Sequence, residues 1–440
     1  MTMHKLRARL RSVDPVLRSG RVRKIMATHI EADGPDVSLG ALCEIEARSA
    51  AGPCAFRAEV VRVGEESVIL SPMEDGAPTF SGARVKACRD ADGVPVGAGF
   101  LGRAVNALAQ PIDGGAAVRA DQFRPLGGAA TPPLERTSPA EILETGIRAV
   151  DGLLTFGKGQ RVGIFAASGV GKTSLLTQFA RHVAADVTIL CLVGERGREV
   201  EAIWNQGLDA QARSRSTLVA ATSDQSAAMR VRAANQALAL AEYWRAQGRH
   251  VLFLLDSVTR LAMAMREIGL AAGEPPTVRA YTPNVFAAIP KLVERCGALR
   301  SGGAITAIVT VLSETDDIDD PVSELMKSLL DGHLVLSRPL AEMGHFPAID
   351  VSRSVSRQSQ GLVRAEHRDQ ASRILEWIGL RQSSRTLVDT GLYVKGANAQ
   401  IDRAIERYPD IVQFLKQDRD ERAAFESTLS SLALLSGKGG

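Results

Sequence analysis

The sequence predicts an α/β protein: a P-loop core built on a parallel sheet, preceded by a small N-terminal β-barrel and followed by a C-terminal helical domain. Three observations predict this. Between residues 142 and 357, strand-sized apolar runs alternate with helical stretches, the pattern of a parallel sheet with helices on both faces. From about 21 to 105, short β-branched runs sit between glycine turns, which suits a small closed barrel better than an open sheet. From 364 to 435 the texture is helical.

Composition bounds the rest. The chain has 440 residues, 45% hydrophobic and 23% charged, ordinary for a globular protein of two or three domains. Aromatics are only 4%, so aliphatic side chains must fill the interior. No apolar run approaches the roughly 20 residues of a membrane span, and the N-terminus lacks the apolar stretch of a signal peptide. The five cysteines are odd in number and none has C-x-x-C spacing, which argues against a disulfide framework or zinc site. The expectation is a reduced, cytoplasmic protein. Charge is unevenly spread: residues 1–24 carry eight Lys/Arg and one Asp, while the other 416 residues carry 45 basic and 49 acidic. A mildly acidic body with a basic tail is not the footprint of a surface that grips nucleic acid.

The elements follow in order. In residues 1–20, Leu6, Leu10, Val13 and Leu17 recur at helical spacing with Lys5, Arg7, Arg9 and Arg11 between them, and Pro15 weakens the end. This amphipathic stripe reads either as a frayed terminus or as a face for a partner helix or an anionic membrane. Residues 21–112 are the β-domain, with runs at 60–63 and 67–70. Residues 113–141, rich in Gly, Ala and Pro, read as a connector. The core, 142–362, has strands at 161–165, 187–193, 218–221, 251–255, 304–312 and 333–336, with helices at 173–184, 199–207 and 227–247. In the last domain, 363–440, helices are expected at 366–380, 399–407 and 410–435.

The central motif is Ala166-Ala167-Ser168-Gly169-Val170-Gly171-Lys172-Thr173, between a strand and a helix as a P-loop requires. Backbone amides of Ser168 to Ser174 would cradle phosphate at the helix N-terminus, and Gly169 and Gly171 let the backbone approach closely. Lys172 would reach the β- and γ-phosphates of ATP, and Thr173 would give its hydroxyl to Mg²⁺. Asp256 ends the apolar run 251–255, at the ligand-binding edge of a parallel sheet, and is the second candidate for Mg²⁺. Glu195 ends the run Cys191-Leu192-Val193-Gly194, where a carboxylate can orient a water in line with the γ-phosphate; the other reading pairs it with Arg196 or Arg198. Arg196 and Arg260 are candidates to touch the γ-phosphate.

Gly194-Glu195-Arg196-Gly197-Arg198-Glu199 resembles the catalytic-glutamate segment of the rotary-type ATPases. Within that superfamily, Gly273-Glu274-Pro275-Pro276, Pro283-Asn284-Val285-Phe286, Asp316-Asp317-Ile318-Asp319-Asp320-Pro321, the segment 330–338 and Phe346-Pro347-Ala348-Ile349-Asp350 look like the type III export ATPases, the flagellar branch slightly nearer than the virulence-injection branch. The resemblance implies a RecA-like core, a ring, expected to be a homo-hexamer, and nucleotide between subunits. It makes Arg357, in Ser354-Val355-Ser356-Arg357, the candidate arginine finger; the bland alternative is a surface arginine. It makes Phe346, where the family shows Tyr before Pro, the candidate adenine-stacking residue, with Tyr393 a second candidate for the base pocket; either can also be a plain core residue. Ala167 replaces a usual Gly. The implied partners are a regulatory stator-like subunit on residues 1–18, an export gate, chaperones and secreted proteins, with the chain peripheral to the inner face of the membrane.

Three rivals remain. A nucleic-acid motor would need a basic, aromatic ring centre, whereas the expected central loop 316–320 is acidic. A proton-coupled rotary subunit would share the chemistry but fits that loop and the C-terminal sequence less well. A non-hydrolysing subunit would lack a carboxylate at Glu195.

Overall fold

The computed structural model describes residues 18–49, 52–74, 78–88, 93–128, 131–312 and 320–437. The expected helix before residue 18, and the expected central loop apart from Asp320, lie outside the described residues.

Six strands close the barrel: β1 (Ser19–Ile25), β2 (Ile30–Ala32), β3 (Leu42–Ser49), β4 (Gly52–Val63), β5 (Val68–Pro72) and β6 (Arg84–Ala87), in the order β1-β2-β5-β4-β3-β6. Alternation sets the faces. In β3, Cys43, Ile45 and Ala47 are buried while Glu44, Glu46 and Arg48 are exposed.

Two of the expected boundaries need correction. The barrel ends at Ala87, so the β-rich stretch to 112 is not all barrel. Gly93–Val96 pairs antiparallel with Gln122–Pro125, a strand inside the expected connector. β7 (Arg103–Asn106) leaves the barrel domain and becomes the outer strand of the core sheet. Ala104 and Val105 pack into the apolar layers on opposite faces of that sheet, and this burial, contributed by residues far along the chain, fixes the strand there.

The core sheet continues with β8 (Arg161–Ala166), β9 (Val187–Val193), β10 (Ser216–Ala221), β11 (His250–Asp256), β12 (Ala304–Leu312), β13 (Gly332–Val335) and β14 (Val355–Ser356). Their order is β14-β13-β8-β12-β11-β9-β10-β7, parallel throughout except at β14. β9 and β10 are buried at every position, as strands covered on both faces must be. In β9, Ile189, Cys191 and Val193 face one apolar layer and Leu190 and Leu192 the other. The first layer is closed by helices α3 (Ala227–Arg245), α4 (Val258–Ala271) and α5 (Pro283–Glu294), the second by α1 (Arg148–Leu153), α2 (Lys172–His182) and the C-terminal helices. Arg215 secures the far end of α2 by donating to the carbonyls of Ala180, Arg181, Val183 and Ala185 at 2.8–3.2 Å.

Among the described residues, three long helices form the last domain, α6 (Ala365–Ser383), α7 (Ala399–Leu415) and α8 (Phe425–Ser436), with a short one at Arg385–Asp389. The expected gap between 407 and 410 does not occur: α7 runs through Pro409, because Ala404, Ile411, Phe414 and Leu415 bury one face across it. That burial outweighs the roughly 3 kcal/mol cost of an interior proline. The expected continuous helix 410–435 breaks instead at 416–424, where a run of polar residues offers no apolar face to bury. The expected helix 199–207 also divides, into an α-turn Gly197–Glu201 and a π-turn Ala202–Gly207. Among the described residues no helix is long and apolar enough to cross a membrane.

The barrel is fastened to the core by Glu59 and Arg232, 3.0 Å apart, with Arg232 side chain 3% exposed. Burial pushes the Glu59 carboxyl up, and Arg232 opposes that. Arg232→Met would strand the carboxylate and should destabilise the protein by about 3 kcal/mol. Adding Glu59→Leu should recover most of the loss, read as the thermal unfolding midpoint. Equal midpoints for wild type and Arg232→Met would show the pair contributes nothing.

Candidate active site

The site is assembled at the carboxyl ends of β8, β9, β11 and β12. β8 runs into the loop 167–171, and α2 starts at Lys172. Gly169 and Gly171 hold φ of 81° and 94°, left-handed angles that favour glycine. No atom lies within 4 Å of the point where a Cβ on Gly169 would stand. Gly171 precedes α2 without a side chain to cap it, so the first-turn amides of Lys172, Thr173 and Ser174 lack a side-chain acceptor there. Ser168, Gly169 and Ser174 are exposed, Thr173 half-buried and Val170 buried beneath the loop. An open cradle of uncapped amides at a helix N-terminus fits a polyphosphate.

Lys172 bridges two carboxylates. Its Nζ lies 2.6 Å from Asp256 Oδ1 and 3.5 Å from Glu195 Oε1. Thr310 Oγ1, from β12, also donates to Asp256 Oδ1 at 2.7 Å. The Asp256 side chain is only 2% exposed. Burial raises its carboxyl, while Lys172 and the Thr310 hydroxyl pull it back. Glu195 is likewise raised, first by burial and further by the Glu199 carboxyl, with Lys172 and Arg260 opposing. Arg260 lies in the first turn of α4, its Cβ about 3.0 Å from where a Cβ on Gly194 would stand. Arg196 is exposed beside Glu195. The Phe346 ring, 47% exposed, stands 3.6–3.7 Å from where a Cβ on Gly171 would be, so it overlooks the loop. Cys191 is buried one strand position below the site; burial raises its thiol and makes it a packing residue.

Two candidates lie elsewhere. Arg357 N donates to Asp331 O, and Asp331 in turn binds Arg161 at the start of β8. That is the amino end of the strand, whereas the loop is at its carboxyl end, about 20 Å away at 3.3 Å per residue. The exposed Arg357 guanidinium donates to Lys327 O at 3.2 Å. Tyr393 sits before α7, its hydroxyl bonded to Asn398 O and Asp402 at 3.0 Å. The structure therefore gathers Lys172, Thr173, Glu195, Asp256, Arg260 and Phe346, and leaves Arg357 and Tyr393 apart. Thr310 was missed: in the run 304–312 a threonine reads as an ordinary β-branched strand residue.

A P-loop on a parallel sheet with two strand-end carboxylates defines a nucleotide-hydrolysing core. Comparison with known proteins narrows it. Residues 146–356 match the ATP synthase alpha/beta family, nucleotide-binding domain, and residues 363–433 match the T3SS EscN ATPase C-terminal domain. The flagellum-specific ATP synthase of Bacillus subtilis (strain 168) is 43% identical, covering 96% of each chain. The type 3 secretion system ATPase of Xanthomonas euvesicatoria is also 43% identical, over 94% of this chain and 93% of its own. The assembled ATPase EscN of enteropathogenic E. coli, solved with its central stalk EscO, superposes with a TM-score of 0.86 at 37% identity, covering 95% of this chain and all of that one. The chain belongs to the family of flagellum-specific ATP synthases and type 3 secretion system ATPases, and it is an ATP-binding export ATPase of that family.

A raised Glu195 has a kinetic consequence. If Glu195 is the group that takes a proton from the attacking water, only its ionised form can do so, and kcat/KM should fall as pH is lowered through its elevated value. The acid limb should lie above the ordinary glutamate range of about 4.3. Glu199→Gln removes one of the groups that raise Glu195 and should move that limb to lower pH. An unmoved acid limb in Glu199→Gln would exclude Glu199 as a cause.

Proposed function

We propose that the chain hydrolyses ATP with Mg²⁺ as cofactor, and that a homo-hexameric ring of such chains drives type III export of flagellar components. The observation that carries this is Lys172 reaching both Asp256 and Glu195 at the strand ends, with Phe346 over Gly171. In this reading the amides of 168–174 hold the phosphates and Lys172 Nζ lies against the β- and γ-oxygens. The Phe346 ring takes one face of adenine, which stacking allows without a hydroxyl. The Thr173 hydroxyl and the Asp256 carboxylate, the latter through water, are the residues for Mg²⁺, an ion that neutralises charge on the phosphate oxygens. Glu195 orients the attacking water and accepts its proton. Arg196 and Arg260 flank the γ-phosphate. A virulence-injection system is the second reading, favoured by the equal identity to the Xanthomonas relative.

Arg357 is assigned to the neighbouring subunit's site. It stands at the amino end of the sheet, too far from the P-loop of its own chain. Residues 1–18 are assigned to docking a regulatory stator-like subunit, which would hold the ring at the inner face of the membrane near the export gate.

Lys172→Ala and Glu195→Gln should each abolish phosphate release, and only Glu195→Gln should keep wild-type ATP affinity. Wild-type turnover in Glu195→Gln would remove that residue from the mechanism. Arg357→Ala should lower turnover in assembled rings by about 10³-fold or more. Mixing Arg357→Ala chains with Lys172→Ala chains should restore part of it, because some interfaces then combine intact halves. Full turnover of Arg357→Ala alone would overturn the assignment in trans.

A further inference from the structure

Gln417 follows α7 in a run of charged residues, and a sequence reading passes it over. It is only 5% exposed, while Lys416, Asp418 and Arg419 on either side are exposed. A buried amide needs partners, and this one has them on three segments. Its Oε1 accepts from Arg148 N at 2.9 Å. Its Nε2 donates to Gly146 O at 2.7 Å and to Glu421 O at 2.9 Å. Its backbone N–H donates to Phe346 O at 2.8 Å. One residue thus joins the turn after α7, the start of α1 and the backbone of the residue whose ring overlooks Gly171. Phe346 is half exposed and its ring is not packed into the core, so its position is set mainly through its main chain.

We infer that Gln417 is a positioning residue for the nucleotide base: it holds Phe346 at its height above the phosphate loop and so ties ATP affinity to the placement of the C-terminal domain. This rests on the reading of Phe346 as the adenine-stacking residue. The side chain anchors Gln417 to α1 and to Gly146. The main-chain bond then passes that fixed position to Phe346. Gln417→Leu keeps similar bulk but cannot bond Arg148 N or Gly146 O. The turn keeps Arg148–Glu421, Asp420–Arg181 and Gln178–Asp418 O, so α2 stays in place, while position 417 loses its own side-chain hold and the ring its fixed height. The phosphate cradle, built on β8 and α2, is untouched.

The test uses the full-length protein and three readouts: kcat and KM for ATP, the Kd of N-methylanthraniloyl-ADP, and the inhibition constant of inorganic triphosphate, which has no base. Gln417→Leu should raise KM and the Kd about tenfold, the scale of one lost hydrogen bond. It should leave kcat and triphosphate inhibition within about twofold. Phe346→Ala should weaken the same two constants, and the double variant should be no weaker than Phe346→Ala alone. If Gln417→Leu does not fold, Gln417→Asn, too short to span Arg148 and Gly146, takes its place with the same readouts. Unchanged KM and Kd in Gln417→Leu, or losses that simply add to those of Phe346→Ala, would overturn the inference and leave base stacking standing. So would triphosphate inhibition weakened in parallel, because the cradle itself would then have moved. Normal affinity in Phe346→Ala would instead overturn the stacking reading.

Discussion

The candidate site depends first on keeping one ammonium and two carboxylates together at the ends of buried strands. Two unit charges at 4 Å attract by about 4 kcal/mol near a protein surface, but taking them out of water costs a comparable amount. Lys172, Glu195 and Asp256 are therefore not held by their charges alone. They are held by register. Leu192 pairs with Asp256 across β9 and β11, Leu255 with Val309 across β11 and β12, and Ala166 with Leu312 across β8 and β12. A slip of one residue in β11 would turn Asp256 to the opposite face and take it away from Lys172 and Thr310. The apolar side chains of β9 to β12 prevent that slip, because each strand buries alternate residues in two separate layers. The core is thus the device that sets the chemistry.

This also explains which parts of the site were legible in the sequence. Lys172 and Thr173 were legible from the glycine loop between a strand and a helix, while Glu195 and Asp256 stand at the ends of apolar runs, where a carboxylate has few other reasons to be. The barrel and the alternating core were legible through periodicity of the same local kind. Phe346 and Arg357 carry no local signal and came only from resemblance. Thr310 and Gln417 were not legible at all, since their significance lies in partners on other strands and helices. The errors in the fold share that origin. β7 was read with the barrel because its partner β10 is distant in sequence. Separate helices were expected at 399–407 and 410–435 because the burial of Ile411 and Phe414 against other elements, which carries α7 through residues 408–409, is not visible in the local sequence.

The two outer domains are fastened to opposite faces of the sheet, and the difference matters for how motion can reach ATP. The barrel contacts the layer of α3 and α4: Glu59 meets Arg232, Arg62 donates to Ala272 O and Ser226 donates to Met73 O. None of these groups belongs to the phosphate loop or to α2. The C-terminal turn 416–421 instead works on the other layer. Arg148 of α1 binds Glu421 and donates to Phe414 O. Asp420 pairs with Arg181 at 2.5 Å, and Asp418 O accepts from Gln178 at 3.2 Å, both partners lying at the far end of α2. Gln417 reaches Phe346 at the near end. The eleven residues of α2 span about 16 Å at 1.5 Å each, so one short turn touches both Phe346 and the rear of the helix that follows the P-loop. A stiff helix passes a push on its rear to its front with little loss, since its backbone bonds run along its axis. A displacement of α6 to α8 therefore changes Phe346 and α2 together, whereas a displacement of the barrel changes neither directly. The C-terminal helices are thus bonded through one turn to both Phe346 and α2, whereas the barrel's side-chain bonds to the core reach α3 and α4.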